Sequence, residues 1–434
     1  NGTVAISGDT TIEDGADLIT ASAGTSNTRI GVNTGNSITS GGNYNVLVGD
    51  EAGTALTTGD SNVAVGFEAL STEDANGFVT AIGYQALKVL NAGADSYNTA
   101  IGYTAGLAMT TGVQNTIIGG FTGRALTDAD FNVAVGVNSL VTDTKGNKSV
   151  ALGYATLQTQ NFTTSTDTFN TAVGHSAGQA VTTGAGQTLI GALAGDAITT
   201  GADNTAVGYQ ALTTNQTSAN NTAVGVSALK LNTGANNTAV GRGALLNQAA
   251  GSDNVAVGKD AGNDITSGVK NVLVGTLTGD ALTDADRNVA VGDQALSTDT
   301  LGSRSTAIGF GALNVQNFTT ATDSYNTAVG YGAGIALTTG TSNNLVGGLA
   351  GDALTTGSFN QVLGTAALGA DTLGSRSVAI GHAALLAQNF TTATDVYNIA
   401  IGHNAGLSVT TGQQNTIVGG LAGDALTVGQ NNVV

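Results

Sequence analysis

A single glycine limits this chain more than any other residue. It closes the pentapeptide Asn-(Thr/Val)-Ala-(Val/Ile)-Gly, which reads Asn62–Gly66, then Asn98–Gly102, then Asn204–Gly208, and continues toward the end of the sequence. There are 23 such anchor glycines between Gly31 and Gly419, and 16 of the 22 gaps between them are 17 residues long. A short fixed period marks a solenoid, because one turn of about 17 residues cannot bury its apolar face alone. The expected fold is therefore all-β: a parallel β-solenoid, or β-roll, of about 17-residue coils forming an elongated rod.

Position within the coil assigns roles. Two residues either side of the central Ala alternate with it, as in Thr99-Ala100-Ile101, so the pentapeptide reads as a short strand. The branched residue before the glycine is expected to point into the coil, with Ala facing the other way toward a second chain or layer. The Ala-Leu pairs that follow, such as Ala69-Leu70 and Ala211-Leu212, are expected to form a second short strand. Asn stands four before the anchor in 18 of 23 coils, which suggests a hydrogen-bonded ladder or a turn cap rather than chemistry. The structural positions are thus Gly66, Gly102, Gly208, Gly330 and Gly402, with Asn62, Asn98, Asn204, Asn326 and Asn398.

The coils follow one another in a four-coil super-repeat. Anchors followed by Ala-Gly fall at Gly102, Gly174, Gly258, Gly330 and Gly402. The fourth coil is often lengthened at Gln160–Thr164, Gln316–Thr320 and Gln388–Thr392. Insertions in solenoids gather on one face, often a binding face, so Phe162, Phe318 and Phe390 are candidate binding-loop residues. Duplication of a four-coil unit would give the same order without selection for binding. Residues 1–26 read as degenerate N-terminal coils or a docking segment, and 27–434 as one continuous β-roll.

Composition narrows the function. The 434 residues include 65 glycines and no proline, cysteine or tryptophan. Only 10% are charged, and the net charge is −18 with twelve scattered basic residues, which argues against nucleic-acid partners. No apolar run reaches the roughly 20 residues of a bilayer span. The chain opens at Asn1 without Met or a leader, as a mature secreted product or an excerpt of a longer chain would.

Few residues suit a site. His175, His382 and His403 each follow an anchor glycine, at the position that elsewhere holds Phe67, Tyr84, Tyr103, Tyr154, Tyr209, Phe310 and Tyr331. Stacking of these rings between coils is the simplest reading, and a metal shared by His382 and His403 is the alternative. Asp128/Asp130 and Asp284/Asp286 lie in Leu-Thr-Asp-Ala-Asp turns, where they suit the turn itself or weak Ca²⁺ binding. No nucleophile–base set or phosphate loop is present, so neither catalysis nor a cofactor is expected.

The run Asn204–Leu212, Asn-Thr-Ala-Val-Gly-Tyr-Gln-Ala-Leu, resembles the head repeats of YadA-like trimeric autotransporter adhesins. It is also similar to repeats in phage tail-fibre-like proteins. The resemblance covers the chain from about Asn27 onward. It implies a left-handed β-roll, usually three chains about an axis, with an adhesive or fibre role. The resulting expectation is a non-enzymatic extracellular or cell-surface fibre subunit that partners itself and a host-cell, matrix or glycan surface. Uncapped coils at Val4/Ile6 and Val433/Val434 would allow head-to-tail filaments. The alternative is an excerpt of a trimeric adhesin head or of a phage fibre shaft that binds a host surface.

Overall fold

The computed structural model describes residues 23–434. The N-terminal docking candidates Val4 and Ile6, and most of the 1–26 segment, lie outside the described residues. The described chain is all-β without a helix, and it falls into two compact units, one ending at Phe169 and one running from Asn170 to Val434.

Each unit is a parallel β-solenoid. In the first, eight three-residue strands from Thr28–Ile30 to Val150–Leu152 stack in parallel and in exact register, so that Val46 faces Val63 and Leu47 faces Ala64. In the second, fifteen strands from Thr171–Val173 to Thr416–Val418 do the same. Register is exact because each coil repeats the same spacing between strand and glycine, and a one-residue slip would turn every buried side chain outward.

The strand faces are the reverse of the sequence expectation. Where the strand centre is Ala it is buried, as at Ala64, Ala100, Ala206 and Ala256, while the β-branched residues on either side are half-buried or exposed. Ala therefore does not face a second chain; it faces the inside of its own coil. The interior is too thin for a larger residue there unless space is made elsewhere.

That space is made four residues after the anchor, where the backbone is left-handed in coil after coil. Some coils place Leu there (Leu70, φ 52°; Leu212, φ 56°) and others Gly (Gly53, φ 59°; Gly195, φ 56°). A Cβ on Gly53 would lie 2.9–3.1 Å from leucine methyls, its closest being the Cδ2 of Leu47 and the Cδ1 of Leu56 at 2.9 Å. The two solutions thus fill one volume. With Leu at this place, the strand centre is small and the residue seven after the anchor is usually polar. With Gly, a larger apolar residue (Leu, Ile, Val or Met) enters from one or both of those positions, as Leu189 and Ile198 do around Gly195 and Met109 does beside Gly106.

The Ala-Leu segment is not a second strand. Residues two and four after the anchor are both left-handed, as at Glu68 and Leu70. This alternation points one N–H back and the next forward along the stack: Glu68 N donates to Asp50 O at 2.9 Å, and Leu70 N donates to Ala86 O at 3.0 Å. The backbone is satisfied from coil to coil without extended geometry. The anchor glycine itself is obligatory, since at Gly66 (φ 132°) a Cβ would meet the Gly83 carbonyl oxygen at 2.4 Å.

The Asn row is a ladder of side chain to backbone. Asn254 Oδ1 accepts the Asn271 N–H at 2.9 Å, and its Nδ2 donates to Gly268 O at 2.8 Å. Asn62, Asn98 and Asn204 act in the same way, each buried and each tying one coil to the next.

Candidate functional site

Two surfaces remain once the interior is assigned. The first is the outward face of the strands. The residues one and three before each anchor are Val, Ile, Leu or Thr in nearly every coil, with Asn344 and Gln361 as polar exceptions and no charge among them. In the second unit Ile190, Val240, Val257, Val272 and Ile308 are all more than a third exposed. Within each unit this is a continuous uncharged β-branched stripe, the kind of patch that marks an interaction surface.

The second surface is built by the long coils. Their extra residues create a further two-residue parallel ladder, Gly146–Asn147 with Thr166–Asp167 in the first unit. In the second unit Gly302–Ser303 pairs with Thr322–Asp323, and Gly374–Ser375 with Thr394–Asp395. The phenylalanines expected to project from these insertions are instead buried: Phe162, Phe318 and Phe390 are 8%, 6% and 5% exposed. A Cβ on Gly302 would come within 2.7 Å of the Phe318 ring, so the ring packs directly over that glycine. Inside a thin coil, the free energy of burying an aromatic ring outweighs its display.

Beneath each insertion lies a buried polar set that sequence reading missed. Asp371 Oδ1 accepts the N–H groups of Gly374 and Phe390 at 3.1 and 3.0 Å, and Oδ2 accepts Gln388 Nε2 at 2.6 Å. Gln388 also donates to Ser377 Oγ at 2.9 Å and accepts from Asn398 Nδ2 at 2.9 Å. Asp299, Gln316, Ser305 and Asn326 repeat the arrangement, and Asp143, Gln160 and Ser149 repeat it in the first unit. Burial raises the Asp371 carboxyl above its ordinary value of 3.8, against the lowering effect of Gln388 and the backbone donors. The set accounts for Ser149, Ser305 and Ser377 standing where other coils have Asn: the Gln amide reaches the middle of the coil, and a short hydroxyl completes it.

On the outside, the long coils carry a row of rings and cations five residues before the anchor. Arg304 Nε pairs with Asp323 Oδ1 at 3.0 Å and its guanidinium lies 5.6 Å from the Tyr325 ring. Arg376 pairs with Asp395 at 2.9 Å and sits between Phe359 and Tyr397, at 4.9 and 5.8 Å. Lys148, Asp167 and Phe169 form the first unit's version. Beside Arg304 opens a groove of about 430 Å³, walled by the inserted Ala321–Asp323 and floored by Asp284, Asp286, Arg287 and Ser303.

The other sequence candidates have structural partners. Tyr84 stacks on Tyr103 with centroids 5.1 Å apart and planes 9° apart, and His382 stacks on His403 at 5.1 Å and 13°. Asp130 and Asp286 each accept a backbone N–H of the preceding coil, from Val113 and Val269 at 2.8 Å. Asp284 accepts the Ser267 hydroxyl at 2.7 Å, and Asp128 pairs with Lys145 at 3.3 Å. Among the described residues no three His, Cys, Asp or Glu converge in a metal-holding group. Val433 bridges to Thr416 and is 86% exposed, and Val434 exchanges backbone bonds with Thr416 and Val418.

Scanned against protein-family models, the chain matches none, and a search of curated proteins returns no significant match.

Proposed function

We propose that the chain is a non-enzymatic structural subunit of an extracellular or cell-surface fibre that serves attachment, and that its copies pack against one another through the β-branched strand face. The observation that carries this reading is that uncharged stripe. It repeats along each unit while the interior is already filled by Ala and Leu, which leaves the outer face free for a contact beyond the fold. Parallel strands are usually covered on both faces, and another copy of the same chain offers a matching surface at the same period. A second reading, an excerpt of a trimeric adhesin head or phage fibre shaft that binds a host surface, is supported by the Asn-Thr-Ala-Val-Gly-Tyr-Gln-Ala-Leu run, and it places three copies about one axis.

Negative-stain electron microscopy of the purified chain tests the proposal. Elongated particles built from more than one copy are expected, whereas compact single chains at every concentration would refute it.

A further inference from the structure

We propose that the groove beside Arg304 binds an acidic saccharide, with the sugar carboxylate held by Arg287 and its hydroxyls by Asp323 and Ser303. The inference rests on the attachment reading and names the chemistry that the surface would recognise. At about 430 Å³ the groove falls within the roughly 300–1,000 Å³ range of ligand sites.

The cations are the informative part. Lys270, Arg287 and Arg304 occupy the same place in three successive coils, where stacked strands are about 4.8 Å apart. Like charges opposite one another on a sheet are unfavourable. Arg304 is neutralised by Asp323, as Lys148 and Arg376 are by Asp167 and Asp395, but Lys270 and Arg287 form no ion pair with any described carboxylate. The other two long coils have Phe131 and Phe359 where this one has Arg287, so the fold at this position needs no cation. A bound carboxylate would relieve the repulsion between neighbours, and an arginine fork suits it in two-point geometry.

The remaining lining selects against a bare anion. Asp284 and Asp286 each spend one oxygen within the protein, on Ser267 and on Val269, and keep the other. Asp323 is held in place by Arg304 and by the Tyr325 hydroxyl, which donates to it at 3.3 Å. Such carboxylates accept hydroxyl groups and repel a multiply charged ion. A ring with one carboxylate and several hydroxyls satisfies both halves of the groove.

Titration calorimetry with the full chain tests this against a trisaccharide carrying a single uronic acid, the neutral trisaccharide of the same linkage, and inorganic sulfate. The uronate is expected to bind at least about tenfold more tightly than either of the others, a difference one charged two-point contact supplies. Arg287→Phe should remove that preference without lowering the melting temperature, because Phe fills the same place in the sister coils. Asp323→Asn should weaken both saccharides. Equal affinity for uronate and neutral sugar, tighter binding of sulfate, or unchanged binding by Arg287→Phe would overturn the inference. So would an Arg287→Phe variant whose only defect is in self-association. The attachment reading stands or falls separately, on whether the chain assembles.

Discussion

At the scale of single residues, the fold depends on an exchange between strain and volume. A left-handed Leu costs about 1–2 kcal/mol relative to a relaxed backbone, yet Leu212 adopts φ 56° because its side chain is fully buried. Burying a leucine contributes about 1.5–3 kcal/mol, and removing one leaves a cavity in addition. Packing therefore wins, and Leu212→Gly is expected to lower stability by about 2 kcal/mol despite relieving the strain. Adding Ala206→Leu should recover part of the loss, since Leu189 plays that part around Gly195. Urea denaturation of the two variants measures both effects. Asn254→Ala strands a buried N–H and a carbonyl in the neighbouring coil, and the same measurement should show a loss of about 2–4 kcal/mol.

At the scale of the coil, the long insertions combine a buried carboxylate with an outer groove. Asp371 has its carboxyl raised by burial, so the folded chain holds the proton more tightly than the unfolded chain does. Its contribution to stability is then fully present below the ordinary value of 3.8 and declines as pH rises through the raised folded-state value. Carboxyl-resolved NMR titration should find Asp371 titrating above an ordinary Asp, and a value at or below 3.8 would contradict the account. The period, the parallel strands and the Asn ladder were legible in the sequence because they recur at fixed spacing. The direction of the strand faces was not. Alternation in Thr-Ala-Val has two solutions, and the usual rule that larger apolar residues go inside fails where a Leu four residues after the anchor already fills the coil and leaves the strand centre room only for Ala. Phe318 misled in a similar way, since an insertion shows that chain is added but not which side chain turns inward. The partnership of Asp299 with Gln316 spans 17 residues, and its signal was the coincidence of Ser305, Gln316 and the preceding Asp in the three long coils.

At the scale of the whole molecule, the account assigns the outer strand face to contact between copies. Polar substitutions there should leave each coil intact, because the outward side chains take no part in the Ala–Leu interior. Native mass spectrometry measures this most directly, comparing the unmodified chain with a triple variant carrying Val207→Asn, Val224→Asn and Val240→Asn. The account predicts that the unmodified chain forms a defined assembly of several copies and that the variant, with an unchanged β-rich circular dichroism spectrum, shifts toward single chains. A chain that stays single at all concentrations, or a variant that assembles as fully as the original, would contradict it.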